Sequence, residues 1–130
     1  MTRWEAMAIG DWKQCVVEAG LAADLSDGGC GVRATMPGPA GPVPAFVIRY
    51  RGELFAYLNR CAHQPVELDW LEGIFFDDRG EYLVCATHGA MYQPHTGLCV
   101  DGPCRGRRLE ALECSIHEGR IMLRRRAERK

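Results

Sequence analysis

The chain has 130 residues and a mass of 14.5 kDa, the size of one domain that buries roughly two-thirds of its unfolded surface. A composition of 47% hydrophobic and 25% charged residues excludes disorder, and a formal charge of −1 gives no overall field toward nucleic acid or membrane. No apolar run of about 18 residues exists, and Glu5, Asp11, Lys13 and Glu18 interrupt the first segment, so we expect neither a membrane span nor a secretory leader, and a cytoplasmic protein.

Fifteen glycines and seven prolines cut the sequence into short pieces, and short apolar runs between turn signals predict an all-β chain. Gln14 to Ala19 is the first expected strand, followed by one helical turn at Ala22 to Leu25 and a weaker strand at Val32 to Met36. Pro37 to Pro44 holds four prolines and two glycines in eight residues, so it reads as a loop outside any sheet ladder. Ala45 to Tyr50 and Glu53 to Leu58 form a hairpin turned at Arg51-Gly52. Glu81 to Cys85 is a further strand, and Glu110 to His117 with Arg120 to Arg125 is a closing hairpin around Glu118-Gly119. No internal repeat or linker divides residues 1–130, which we read as one domain.

Charge is uneven. Arg105 to Lys130 carries nine basic and four acidic residues, and the preceding segment seven basic and thirteen acidic. Glu67, Asp69, Glu72, Asp77, Asp78 and Glu81 form an acidic run that reads as a solvated face, with steering of a basic redox partner as the alternative. The run Arg124 to Lys130 reads as a solvated tail, not a nucleic-acid site, because no aromatic platform accompanies it.

Seven cysteines in a chain of this kind point to metal or redox chemistry. Two motifs carry it. Cys61-Ala62-His63 is a C-x-H, and Cys85-Ala86-Thr87-His88 is a C-x-x-H; 21 residues separate His63 from Cys85. Each follows an expected strand, so two strand ends would present one thiolate and one imidazole apiece. Sulfur and imidazole donors suit an iron–sulfur cluster or zinc, and a structural zinc module is the alternative at this point. Iron with acid-labile sulfide, against zinc without it, separates the two. Of the other cysteines, Cys15 and Cys114 fall in strands as small core residues, and Cys30 sits in an exposed glycine-rich turn. Cys99 and Cys104 bracket Val100-Asp101-Gly102-Pro103; we read them as reduced packing residues, with redox or ligand-swap chemistry as the alternative. His95 and His117 read as turn residues, not ligands.

The paired motifs, the Gly89-Ala90-Met91-Tyr92 continuation and the downstream Gly102-Pro103 resemble the Rieske [2Fe–2S] domain. The resemblance implies an antiparallel β-sandwich or barrel base with a small inserted cluster-binding subdomain at about 59–104. It implies one [2Fe–2S] cluster, with Cys61 and Cys85 on one iron and His63 and His88 on the other. Gly102-Pro103 is similar to the loop that covers the cluster, Gln93 to Gly97 to the turn after the second ligand loop, and Tyr92 to the tyrosine that bonds to a ligand sulfur. Two departures matter. The positions of the respiratory proteins' extra cysteines are Val66 and Thr87, so that disulfide is not expected, and Ala90 stands where those proteins have a serine that bonds to cluster sulfide. Hydrogen bonds to sulfur favour the reduced state, so losing one donor while keeping Tyr92 places the potential in the lower half of a family range of roughly −150 to +300 mV. The surplus between the ligand loops, Gly73 to Gly80, reads as an elongated hairpin.

By this resemblance the chain is a one-electron carrier, a ferredoxin-like component feeding an oxygenase or reductase, with a redox protein as partner and neither nucleic acid nor membrane. The alternatives are an accessory subunit like the small subunit of assimilatory nitrite reductase, and a redox or iron sensor. A complete oxygenase is not expected, because the 42 residues from Gly89 to Lys130 hold two histidines, both in expected turns, and offer no second iron site.

Overall fold

The computed structural model describes residues 15–62 and 66–126, and these residues form nine strands in three antiparallel sheets. In chain order the strands are β1 (Val16–Leu21), β2 (Val32–Met36), β3 (Val43–Tyr50), β4 (Glu53–Leu58), β5 (Leu83–Val84), β6 (Met91–Tyr92), β7 (Cys99–Asp101), β8 (Leu112–His117) and β9 (Arg120–Arg125). A 3-10 turn at Ala22–Asp24 follows β1. The sheets run β1-β9-β8, β2-β3-β4 and β5-β6-β7. The first two form the base, with the first ligand loop leaving the end of β4; the third carries the second ligand loop.

β3 explains how the layers join. Its side chains alternate across the sheet, yet Ala45, Phe46, Val47 and Ile48 are all buried. Ala45 and Val47 face Met36, Leu58, Ile121 and Leu123 in the base core, whereas Phe46 and Ile48 face Tyr57, Leu68, Phe75, Leu83 and Tyr92 in a second core beneath the site. A strand buried on both faces reads as an unbroken apolar run, as this one does. Phe46 stacks on Phe75 with ring centroids 4.1 Å apart, tying the base to the segment between the ligand loops. The Leu58 N–H donates to the Glu110 carbonyl at 2.9 Å and links β4 to the chain entering β8.

The expected β3–β4 and β8–β9 hairpins are present. Arg51 (φ 50) with Gly52 (φ 83), and Glu118 (φ 51) with Gly119 (φ 79), place two consecutive residues in the left-handed region, as a two-residue turn between twisted strands requires. Several boundaries differ from the sequence reading: the strand expected at Glu81 to Cys85 shortens to Leu83–Val84, and the turn expected at Ala22 to Leu25 ends at Asp24. The first strand runs Val16–Leu21, with Gln14 outside the described residues and a bulge between Glu18 and Gly20. β8 begins at Leu112, not Glu110. The proline-rich loop ends sooner than expected: β3 starts at Val43, and Pro44 lies opposite Thr35 in register. Proline lacks the N–H but keeps its carbonyl, and that of Pro44 accepts from the Asn59 N–H at 2.8 Å.

The segment between the ligand loops forms the expected hairpin. Val84 N–H donates to the Phe75 carbonyl (2.8 Å), Asp77 N–H to the Tyr82 carbonyl (2.9 Å), and Phe76 bridges to Leu83. The short strands β6 and β7 are additional to the elements the sequence predicts. No helix among the described residues is long and apolar enough to cross a membrane.

Candidate metal centre

Cys61 follows β4 after Asn59 and Arg60, and Cys85 follows β5 directly. Both loops close on themselves and on each other. Cys61 N–H donates to the Val66 carbonyl (2.8 Å), Gly89 N–H to the Cys85 carbonyl (2.7 Å), Cys85 N–H to the Ala90 carbonyl (2.9 Å), and Ala86 N–H reaches across to the Leu68 carbonyl (2.9 Å). These bonds bring Cys61 Sγ, Cys85 Sγ and a ring nitrogen of His88 within 4.8 Å of one another, with Cys85 Sγ 3.9 Å from His88 Nδ1. The two cysteines are buried and His88 is half-buried. His63, the fourth expected ligand, lies outside the described residues.

The electrostatics of this pocket suit a cation. Burial pushes the Cys85 thiol up, backbone N–H groups of His88 and Thr87 pull it down, and the neighbouring Cys61 raises it again. Two thiolates side by side in an apolar pocket repel each other; positive metal between them removes the repulsion and the desolvation penalty together. Mixed thiolate and imidazole donors at this separation fit an iron–sulfur centre.

The surroundings are equally specific. Tyr92 Oη lies 3.2 Å from Cys61 Sγ and accepts the Ala62 N–H at 3.0 Å; burial drives its ionisation well above the usual phenol range, so it stays protonated. Ala90 is fully buried, and Gly102 lies against its backbone: a Cβ on Gly102 would sit 2.8 Å from Ala90 Cα. The expected covering loop therefore packs on the second ligand loop, with Pro103 exposed beyond it. The Gln93 to Gly97 turn is held by Gly97 N–H to the Gln93 carbonyl (2.8 Å) and by the Tyr57 hydroxyl, which donates to the Pro94 carbonyl (2.8 Å).

A match to the family model described as "Rieske [2Fe-2S] domain" covers residues 17–116. The chain belongs to the Rieske [2Fe–2S] domain family. As a Rieske protein it carries one [2Fe–2S] cluster. Solved structures give the same fold. A chain from the complex of reduced oxygenase and oxidized ferredoxin in carbazole 1,9a-dioxygenase aligns with a TM-score of 0.67 at 22% identity, over 88% of this chain and 99% of that one. The ferredoxin of carbazole 1,9a-dioxygenase from Nocardioides aromaticivorans IC177 aligns with a TM-score of 0.67 at 17% identity, over 85% and 98%. The terminal oxygenase of the same system also aligns, with a TM-score of 0.67 at 18% identity, but this chain spans only 31% of its length. No curated protein sequence matches this chain significantly.

Several residues read differently once placed. The acidic run is not one solvated face. Asp69 is buried, with its carboxylate accepting from Arg33 Nε (2.8 Å), Asn59 Nδ2 (2.9 Å) and Gly73 N–H (2.9 Å). Asp77 accepts from the Glu81 N–H, and Glu67 lies 3.6 Å from Arg33. A sequence gives no sign that a carboxylate four residues from a glycine turns inward to meet a distant arginine. Arg124 and Arg125 belong to β9 and pair with Glu113 and Glu110, so the basic tail begins later than expected. His95 is exposed and stacks on Tyr50 at 6.0 Å, and His117 is exposed at the end of β8. Cys15 is buried, Cys30 exposed and Cys114 half-buried, with burial raising the Cys114 thiol to about 11. Cys99 and Cys104 are both buried, and their sulfurs are 3.1 Å apart.

Proposed function

We propose that this Rieske protein is a one-electron carrier that passes electrons between protein partners, as a ferredoxin-like component of an oxygenase or reductase system. The convergence of Cys61 Sγ, Cys85 Sγ and His88 at two strand ends carries the reading. In it Cys61 and Cys85 bind one iron, and His63 and His88 bind the other. The cluster supplies the one-electron couple when bound; the chain's residues hold it, shield its sulfur side and set its potential. Burial of the thiol side against partial exposure of His88 leaves the imidazole side as the short route to a partner.

A protein partner is favoured by the turn beside the ligand loops. The Leu68 carbonyl is bonded to the second ligand loop, and the same turn exposes Trp70 and Leu71 at 80% and 73%. Large apolar side chains held outward beside a redox centre suit a docking surface. The related carbazole dioxygenase structures pair a ferredoxin with an oxygenase, and we extend that arrangement to this chain as the reading with most support. We place the protein in the cytoplasm, since seven thiols, two of them with sulfurs 3.1 Å apart, suit a reducing compartment. Residues 1–130 constitute one domain in this reading.

A redox titration tests the function and the site together. We expect uptake of one electron per chain at a potential in the lower half of the roughly −150 to +300 mV range. Ala90→Ser adds a hydroxyl beside the second ligand loop and is expected to raise the potential, because a bond to sulfur favours the reduced state. A wild-type value near the top of the range contradicts the account. Stoichiometric co-purification with a larger enzyme would favour the accessory-subunit reading over a free carrier.

A further inference from the structure

The buried thiols of Cys99 and Cys104 are not ligands in the proposed centre, yet they touch its hydrogen-bond shell. Cys99 donates its S–H to the Asp101 carbonyl at 3.1 Å. Its sulfur then accepts the S–H of Cys104, also at 3.1 Å. A thiol has one proton, so Cys104 turns sulfur lone pairs toward Tyr92, whose Oη is 3.2 Å away. On the other side of that oxygen Cys61 Sγ lies at the same 3.2 Å, and the Ala62 N–H fills one oxygen lone pair at 3.0 Å. One phenolic proton therefore faces two sulfur acceptors at equal distance.

We propose that Cys104, fixed as an acceptor by Cys99, is a positioning residue that draws part of the Tyr92 O–H bond away from Cys61 and so weakens the protein's hold on the added electron. The proposal rests on the reading that Cys61 is an iron-bound thiolate. An iron-bound thiolate is the stronger acceptor, so the bond to Cys61 is shared, not lost. Cys99, Cys104 and Tyr92 are each at most 2% exposed, so bulk water does not compete for these groups. Burial, reinforced by Cys104, raises the Cys99 thiol to about 11, and it keeps the proton this chain of bonds needs. The same burial disfavours thiolate attack by Cys99, because the thiolate is the reactive form.

The test uses loaded protein, with the potential read by titration and the cluster checked by iron content. Cys99 is the backbone register partner of Tyr92, but in this chain of bonds its side chain acts on the phenol through Cys104, so Cys99→Ala, which leaves the backbone pairing in place, is the discriminating variant. Without its acceptor, the Cys104 S–H turns to the Tyr92 oxygen, and the phenolic proton goes wholly to Cys61. We expect reduction to become more favourable by about threefold, about 28 mV at 59 mV per tenfold for one electron. Cys104→Val, which removes the competing acceptor while keeping the volume filled, should shift the potential the same way. Cys99→Ser, still able to donate to Asp101 and accept from Cys104, should restore the wild-type value. In a Tyr92→Phe background Cys99→Ala should have no effect. An unchanged or lowered potential in fully loaded Cys99→Ala, or a rise that persists in the Tyr92→Phe background, overturns the proposal. Wild-type protein lacking a Rieske-type signal would overturn the ligand reading itself, and is recognised before any variant is made.

Discussion

Replacing Asp69 with alanine is expected to destabilise the fold by about 3 kcal/mol and to strip the first ligand loop of its support. The Asp69 side chain is 0% exposed, and its carboxylate joins three parts of the chain. Arg33 on β2 donates to it from the base sheet, Asn59 at the end of β4 donates from beside Cys61, and Gly73 donates from the far end of the loop. Asn59 in turn accepts the Leu68 N–H at 2.8 Å, so the same network fixes the residue whose carbonyl bonds to Ala86. Alanine leaves the Gly73 N–H buried without its acceptor and the Asn59 amide with only the long 3.4 Å bond to Glu67. Arg33 is 36% exposed and recovers water, which keeps the loss below that of a fully buried ion pair. Asp69→Asn fits the space but offers only one acceptor oxygen to donors arriving at both positions, so a loss of about 2 kcal/mol is expected. Denaturant unfolding measures both, and iron content after purification reports the loop.

The same carboxylate gives the fold a pH dependence of known sign. Burial alone would raise its pKa, but bonds from Arg33, Asn59 and Gly73 outweigh burial and hold it below the ordinary 3.8. A lowered folded-state pKa means that the stabilisation is complete above the ordinary value and is lost as pH falls through the folded one. Wild-type stability should therefore fall steeply below about pH 4, and Asp69→Asn should flatten that part of the profile.

Gly102→Ala is expected to push the Gly102-Pro103 loop, the proposed cover of the metal centre, off the second ligand loop. The new Cβ would lie 2.8 Å from Ala90 Cα and 3.3 Å from its nitrogen, with backbone on both sides, and φ at this position is +103°. Neither the second ligand loop nor the covering loop can yield locally, so the covering loop must move outward. A strain of about 2 kcal/mol borne only by the closed loop corresponds to about 30-fold faster loss of iron to a chelator. Gly106→Ala separates crowding from backbone strain. Gly106 also has a positive φ, +92°, but a Cβ there meets nothing within 4 Å. It should pay the conformational penalty and leave iron release much closer to wild type.

What the sequence makes legible follows from what each residue has to do locally. β3 and β4 stand out because burial on two faces demands an apolar run, and the two-residue turns at Arg51-Gly52 and Glu118-Gly119 announce themselves. The convergence of Cys61, Cys85 and His88 is legible because thiol and imidazole groups at short spacing stand beside strand ends. β6 and β7 are hidden because strands of two and three residues owe their pairing to the turns around them, not to any pattern of their own. Pro44 misleads because its ring suggests exclusion from a ladder that its carbonyl still joins. Asp69 is masked by five other acidic residues, and only the approach of Arg33, 36 residues away, shows that it is internal. The Cys99–Cys104 pair brackets a visible Gly-Pro loop, yet its link to Tyr92 exists only through the β6–β7 pairing.

Low-temperature electron paramagnetic resonance of freshly made, dithionite-reduced protein tests the central claim most directly. Two histidine and two cysteine ligands on one diiron centre predict a Rieske-type signal with low average g. Iron-containing protein that shows no such signal, or colourless protein with zinc and no acid-labile sulfide, would contradict it.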